Sequence, residues 1–478
     1  MSDLAKTVSD ILKEMSSEKY VKILGRKTEN PLNEAFLERR MDHPNAGGSM
    51  IIPPMQQKTW REHMQKAGNV KDKRAAYIHI PFCEKICLYC GFFQNYSNEE
   101  RETLYIDALI RQLEMAKDAR YVQEGRINSV FFGGGTPSTL SAKNVDRLLK
   151  KVHECLPLSN DCEITMEARV HDLVDEKLQA WFNNGVNRIS VGVQSFDTKI
   201  RQSLGRVDSK EVVIENLTRA ANYNQAVIIV DLIYGLPYHT VDKFLEDLRI
   251  IDELPIDGMD LYQLNVFEKS ALKKAIDNGK LPPVATSAEQ AEYLKAAVQF
   301  LDELGYKRLS VCHWAKNNRE RSLYNILAKT NADVIPFGSG AGGFVQDIAV
   351  YLQRDLKKYI ETVNEGKVPL MFMMKETEMS TLYKDIQAQT ESCFANMERL
   401  ARIYGKEILQ LEEVLDIWVE HGLFTKNGHM YRMTIAGEFW QKNVTQGLIE
   451  IAKKLVGGRK SLNEWVTEFA MNTFKPKK

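Results

Sequence analysis

From about residue 75 onward, short apolar runs alternate with longer amphipathic ones. Runs rich in β-branched and aromatic residues at 76–80, 129–132, 163–166, 188–191, 226–230 and 258–264 read as strands. Stretches with helical spacing at 102–120, 141–155, 170–184, 210–223, 241–253 and 287–304 separate them. Strand and helix repeating in this way predict parallel βα units, and six in succession predict an α/β fold, a partial (β/α)6 TIM-like barrel. In such a barrel the chemistry gathers at the C-terminal ends of the strands.

The flanks read differently. Residues 1–75 form a helical extension, with Leu4, Val8, Ile11, Leu12 and Met15 predicting one amphipathic helix. Residues 42–48 are turn-rich, and the Pro53-Pro54 pair is expected to break any regular element. The glycine-rich run Ile335-Pro-Phe-Gly-Ser-Gly-Ala-Gly-Gly343 closes the barrel region, taken as residues 76–345, and a helix is expected over 347–365. Residues 346–478 make a mainly helical C-terminal domain. Within it, helix 409–419, an alternating segment 423–434 with the turn Lys426-Asn-Gly-His, and helix 435–444 give a winged-helix-like order.

Length and charge narrow the class. A chain of 478 residues exceeds one ordinary core. Lys+Arg and Asp+Glu are 64 each, which argues against a polyanion-binding role, and no basic stripe marks 409–444 as a nucleic-acid reader. The first residues, Met1-Ser-Asp-Leu-Ala-Lys, carry charge at once, no stretch is apolar enough for a membrane span, and the seven cysteines are an odd number. A cytoplasmic enzyme with reduced thiols is the expectation.

Three of those thiols stand out. Cys83, Cys87 and Cys90 lie in Tyr77-Ile-His-Ile-Pro-Phe-Cys-Glu-Lys-Ile-Cys-Leu-Tyr-Cys90, directly after the first predicted strand. A closed zinc site or an ordinary iron–sulfur cluster takes four ligands. Zinc would need a fourth from His79, Cys312 or Cys393; three thiolates on a four-iron cluster would leave one iron open to a small molecule. After the second strand comes Phe131-Phe-Gly-Gly-Gly-Thr-Pro137, whose glycines let a ligand approach the backbone. Glu167, Gln194 and Asp231 end the next three strands; singly each suits a helix cap, together they line one polar rim. Arg206, in Leu-Gly-Arg, is an exposed arginine by default and could equally meet a carboxylate.

On these motifs the chain resembles the radical S-adenosylmethionine enzymes, whose signature is Cys-x3-Cys-x2-Cys. Tyr77-Ile-His-Ile-Pro-Phe-Cys83, Gly133-Gly-Gly-Thr-Pro-Ser138, Ser190-Val-Gly-Val-Gln-Ser-Phe196 and Asp231-Leu-Ile-Tyr-Gly-Leu-Pro237 are similar to its coproporphyrinogen-dehydrogenase-like branch. The resemblance implies a radical SAM barrel, a 4Fe-4S cluster on Cys83, Cys87 and Cys90, and two molecules of S-adenosyl-L-methionine. Tyr77, Gly134 and Glu167, with the backbone of Gly342, would hold the first. Tyr89, Gly135, Thr136, Gln194, Arg206, Asp231 and Asn265 would face the second. Tyr77, Gln194, Arg206 and Asp231 would serve catalysis.

Phe92 stands where the coproporphyrinogen dehydrogenases of the branch carry a further cysteine. Related haem chaperones have an aromatic there but begin close to the cluster motif. The long lead-in with Asn30-Pro-Leu-Asn-Glu-Ala-Phe36 and His43-Pro-Asn-Ala-Gly-Gly48, with His313-Trp-Ala-Lys316, is most similar to the anaerobic haem-degrading methyltransferases of the ChuW/HutW type. That implies a haem or related porphyrin substrate, opening of the macrocycle with methyl transfer, and a low-potential donor such as flavodoxin. His43, His313 and Met371-Phe-Met-Met374 are candidate haem contacts, His313 foremost.

Overall fold

The six predicted strands are present and run parallel in chain order: Arg74–Ile80, Ile127–Gly134, Leu158–Arg169, Arg188–Gln194, Val227–Tyr234 and Gly258–Gln263. The structure is a computed structural model that describes residues 6–40, 47–92 and 95–456. Helices over Glu99–Lys117, Ala142–Cys155, Asp175–Asn183, Lys210–Asn222, Val241–Glu253 and Ser287–Glu303 follow the strands. Ser141, Ser209, Thr240 and Thr286 cap four of them, each accepting a backbone N–H from the first turn. Alternate strand residues therefore face either this helical layer or the concave inner side. Ile78, Val130, Met166, Ile189, Val191 and Val230 are buried in the apolar core, while Tyr77, Glu167, Asp231 and Asp260 carry the polar chemistry.

The sheet extends beyond the six. Asp333–Phe337 lies parallel to the first strand on its outer side, so the glycine-rich run opens as a strand. Gly342–Val345, Ile348–Leu352 and Leu370–Lys375 continue it as antiparallel neighbours. Beyond the sixth strand, His313–Ala315 and Lys307–Arg308 add antiparallel pairs. Among the described residues the sheet has thirteen strands and its ends remain apart in strand order. The fold is α/β, with a helical C-terminal region.

Several local expectations are corrected. The first amphipathic stretch is shorter than its pattern, helix Val8–Lys13 with Met15 beyond its end, and Ser16, accepting the Lys19 N–H, starts a further helix, Ser17–Leu24; Leu4 lies outside the described residues. Pro53 and Pro54 begin a helix, Pro53–Met64, where a first-turn residue needs no N–H partner. Instead of one helix over 347–365, strand Ile348–Leu352 precedes helix Leu356–Asn364, because Ile348, Val350 and Leu352 bury one face of a pleat. Met371–Met374 falls in strand Leu370–Lys375, with Met373 buried against Ile348 and Val350.

Helix Glu412–Glu420, hairpin Phe424–Asn427 with Met430–Met433, and helices Ile435–Phe439 and Gln441–Leu455 follow the expected C-terminal order. The N-terminal extension packs on this unit: Trp418 Nε1 donates to the Leu24 carbonyl and Trp440 Nε1 to that of Pro31, both at 3.0 Å. Among the described residues no helix is long and apolar enough to cross a membrane.

Candidate active site

The loop after the first strand brings the three cysteines to the C-terminal end of the sheet. Cys83 ends the short strand Phe82–Cys83 and is buried, Cys87 is buried, and Cys90 is half-buried. Each sulfur has a polar neighbour. Thr136 Oγ1 is 3.3 Å from Cys83 Sγ, Arg169 Nη2 donates to Cys87 Sγ at 3.6 Å, and the Phe92 N–H donates to Cys90 Sγ at 3.3 Å. Burial pushes the Cys83 thiol up, against Thr136 and Arg169, so a bound cation is what would draw it into the thiolate form. The Phe92 side chain is 76% exposed and takes no part in the cysteine group.

The triple glycine is shaped by contact. Gly134 has φ +117°, and a Cβ there would meet the His79 ring at 2.7 Å; one on Gly135 would meet the Phe82 carbonyl oxygen at 2.5 Å. The glycines thus let the second strand close onto the loop that carries Cys83. Gly133 separates Tyr77 from Glu167, each 3.1 Å from the point where its Cβ would stand. Tyr77 Oη lies 3.1 Å from His79 Nδ1.

Two buried carboxyls sit near this turn. Desolvation, then the nearby charge of Asp231, lifts Glu167 to about 8, although the Gly134 N–H favours its ionised form. Desolvation, then Asp260 on the neighbouring strand, lifts Asp231 to about 7, against the Ser190 hydroxyl that donates to it at 3.1 Å. Both would regain their charge on meeting a cationic ligand.

A third group gathers around Arg206. Its Nη1 donates to the Gly192 carbonyl at 2.5 Å, and its Nε and Nη2 approach Tyr89 Oη at 3.2 and 2.9 Å. Gln194, in the left-handed region at φ +73°, turns its side chain back over Gly192, where a Cβ would stand 3.0 Å from its Nε2. Its Oε1 is buried with no hydrogen-bond partner. A glutamine held in that conformation with an unanswered acceptor awaits a donor.

The structure therefore brings Tyr77, Gly134, Gly135, Thr136 and Glu167 to the cysteine side, and Tyr89, Gln194 and Arg206 to a neighbouring side, with Asp231 facing Glu167. Gly342 lies two strands outward, where a Cβ would meet the Tyr351 ring at 3.0 Å, and Asn265 is exposed beyond the sixth strand. Among the described residues neither hydrogen-bonds to a side chain of this group. Of the candidate haem contacts, His43 lies outside the described residues. His313 is buried: its Nδ1 is 2.8 Å from Asp260 and its Nε2 is 3.3 Å from Glu320. Arg188 completes this line, with Nε 3.0 Å from Glu320. Tyr324 stacks on Phe131 at 4.3 Å between centroids and on Tyr77 at 6.0 Å.

Arg169, Arg188, Asp260, Glu320 and Tyr324 went unread in the sequence. Asp260 and Tyr262 do alternate on one face of the sixth strand, a period-2 signal that marks both as inward. The partners of Arg188 and Tyr324 lie too far along the chain for any local pattern to reveal.

The residues fit an open cluster and a charged cofactor on these observations: three sulfurs with polar neighbours, a glycine cradle a Cβ would fill, two carboxyls whose ionisation burial opposes, and an orphaned buried amide. Comparison with known proteins agrees. Residues 77–251 match the radical SAM superfamily. Anaerobilin synthase of Escherichia coli O157:H7 is 36% identical over 424 residues, covering 88% of this chain and 94% of that protein. The haem chaperone HemW of Bacillus subtilis is 28% identical, covering 76% and 96%. The solved structure of coproporphyrinogen III oxidase (HemN) from Escherichia coli superposes with TM-score 0.72 at 21% identity, over 82% of this chain and 93% of that one, a likeness of fold.

Proposed function

Because this chain belongs to the radical SAM superfamily, in the branch that includes anaerobilin synthase, we propose that it opens the haem macrocycle without oxygen, transferring a methyl group and releasing iron and a linear tetrapyrrole. The observation that carries this reading is the 36% identity to anaerobilin synthase along 88% of the chain. Phe92, in place of the further cysteine of the coproporphyrinogen dehydrogenases, supports it over decarboxylation.

Cys83, Cys87 and Cys90 would hold a 4Fe-4S cluster, and a first S-adenosylmethionine would sit against Glu167, Gly134 and Tyr77. When bound, cluster and cofactor supply one-electron chemistry able to take hydrogen from an unactivated carbon. The chain's own contribution is orientation and charge. Glu167, discharged while alone, answers an ammonium group with a carboxylate. Arg206, braced by Tyr89 and the Gly192 carbonyl, offers its guanidinium to a carboxylate of a second S-adenosylmethionine, and Asp231 offers its charge to that molecule's cationic end. Gln194 Oε1 accepts a hydrogen bond at the same place. The electron comes from a low-potential donor of flavodoxin type, in a reducing cytoplasm.

The test is anaerobic turnover of the reconstituted protein with haem, S-adenosylmethionine and reductant. Loss of the haem Soret band, formation of 5′-deoxyadenosine, and a ring-opened product one methyl heavier are expected. An unchanged Soret band with decarboxylation of coproporphyrinogen III would overturn the reading in favour of the dehydrogenase. Stoichiometric haem transfer without turnover would overturn it in favour of a chaperone.

A further inference from the structure

Between strand His313–Ala315, beside the sixth strand, and helix Leu323–Ala328, against the first, the chain forms neither helix nor strand. It is nevertheless tied down along its length. The Lys316 N–H donates to the Asp257 carbonyl and Asn317 Nδ2 to the Asp257 carboxylate, both at 2.8 Å, just before the sixth strand. Arg319 Nη2 donates to the Ala226 carbonyl at 3.0 Å, just before the fifth, and Arg321 Nη2 to that of Asp161 at 3.4 Å, near the start of the third. Residues 316–322 therefore cross the sheet where its strands begin, opposite the cysteine loop, and strap together two edges that the strand order leaves apart.

The strap also sends side chains inward. Glu320 is 4% exposed and lies between two cations, Arg188 Nε at 3.0 Å and His313 Nε2 at 3.3 Å. Buried charges matched on both sides fix the strap's place, because shifting it would strand them unpaired. Ser322 then turns the chain into the helix at a left-handed φ of +50°, a conformation that a serine keeps only where its surroundings impose it. Two residues on, the Tyr324 N–H donates to Glu163 Oε1 at 3.2 Å, and Leu327 is buried with Ala75 and Val334.

The Tyr324 ring enters beneath the residues of the cysteine side. It stacks on Phe131 with centroids 4.3 Å apart at 25°, and on Tyr77 at 6.0 Å and 27°. Tyr77 and Phe131 themselves stand 6.3 Å apart at 22°. Three nearly parallel rings from three elements thus meet, and Tyr324 lies across the other two. Above them, Phe131 Cε1 is 2.9 Å, Tyr77 Cε2 3.1 Å and Glu167 Oε2 3.1 Å from the point where a Cβ on Gly133 would stand. Tyr77 therefore has Tyr324 across one face and Glu167 near its edge.

We propose that Tyr324 is a positioning residue for the first S-adenosylmethionine: stacked from beneath, it holds the Tyr77 ring in place beside Glu167, and the strap holds Tyr324. This rests on the reading of Tyr77, Gly134 and Glu167 as that cofactor's pocket and adds the pocket's floor. Without the Tyr324 ring, Tyr77 keeps Phe131 and the edge of His79 but loses the ring across its face, and gains room to turn away from Glu167. Stacking needs the ring and not the phenol oxygen, so the two can be separated by substitution.

Equilibrium binding of S-adenosylmethionine to the full-length, cluster-loaded protein tests this, with iron content and the thermal transition recorded for each variant. Tyr324→Leu, which fills the space without a ring, is expected to weaken binding about three- to tenfold, and Tyr324→Phe to bind as the wild type does. Tyr324→Met, a flexible side chain of similar reach, repeats the test should the leucine variant lose its iron. Leu327→Ala removes buried packing from the same helix but supplies no ring to the stack, so it should lower the thermal transition and leave the affinity unchanged. Wild-type affinity in folded Tyr324→Leu, or equal weakening in Tyr324→Phe or in Leu327→Ala, would overturn the positioning role while leaving the cofactor pocket where it is. Glu167→Gln tests the pocket itself: wild-type affinity in that variant, or no binding by the wild type, would overturn the reading of the pocket and this role with it.

Discussion

His313 and Asp260 face each other across adjacent antiparallel strands, with Nδ1 2.8 Å from Oδ1 and both side chains almost wholly buried. Asp260 in turn is the register partner of Asp231. The imidazolium therefore compensates one of two carboxylates that would otherwise repel inside the site. Burial opposes its charge, but Asp260 and Glu320 outweigh burial and lift His313 to about 9.

Stability should follow that titration. A histidine whose folded pKa lies above its usual 6.5 contributes stability that is full below 6.5 and is lost as pH rises through about 9. Denaturant midpoints of the wild-type protein should fall across that window, and those of His313→Gln should fall less, the remainder coming from the raised carboxyls of Glu167 and Asp231. Removing the cation leaves Asp260 and Glu320 facing each other without it, so the variant should be less stable by about 3–5 kcal/mol below the window. A variant of wild-type stability there would show that the histidine carries no charge.

Glu167 gives a pH dependence of the opposite kind. Its carboxyl is lifted to about 8, so ionising it to meet a cationic cofactor costs free energy below that pH. The apparent affinity for S-adenosylmethionine should weaken by up to about tenfold for each pH unit below about 8. Glu167→Gln should bind more weakly and lose this slope, with iron content unchanged. Equilibrium binding measured across pH in wild type and variant decides it, and an identical slope in both would remove Glu167 from the cofactor site.

The frame of this site was legible because it is local. Period-2 apolar runs gave the six strands, and the rule that chemistry sits at their C-terminal ends joined Cys83, Gly134, Glu167, Gln194 and Asp231. What escaped was pairing across distance. Arg188 meets Glu320 from 132 residues away, and Arg40 meets Asn443 from 403. No local periodicity encodes such contacts; the return of the chain's end onto its beginning creates them. The surroundings of His313 are hidden for the same reason, since only the folded sheet brings Asp260 and Glu320 to its ring.

The cysteines separate by position. Alanine at Cys83, Cys87 or Cys90 should abolish the cluster, read as iron and sulfide content after anaerobic reconstitution. Alanine at Cys312 or Cys393 should leave the content unchanged, because both lie at the junction with the C-terminal region, near Glu391 and away from the loop after the first strand. Loss of the cluster in either would mean that the ligand set is different.

Gly135 links that loop to the sheet. Its N–H donates to the Ile80 carbonyl at 2.8 Å, and the next residue, Thr136, donates its N–H to Phe82 at 2.7 Å and places its hydroxyl beside Cys83. A methyl group at Gly135 would stand 2.5 Å from the Phe82 carbonyl oxygen, and backbone on both sides leaves no flexible side chain to yield. Gly135→Ala must therefore displace the Phe82–Cys83 strand, at a cost of about 1–3 kcal/mol. Gly279→Ala is a useful contrast: its Cβ would meet nothing within 4 Å, while its φ of +68° strains any side chain there, a strain absent at Gly135. If backbone strain alone governed, Gly279→Ala would be the more disturbed of the two variants and Gly135→Ala would keep the cluster. If the Phe82 contact governs, Gly135→Ala should lose iron and sulfide during reconstitution while Gly279→Ala keeps them, and retention of both by Gly135→Ala would show that the cysteine loop does not depend on this contact.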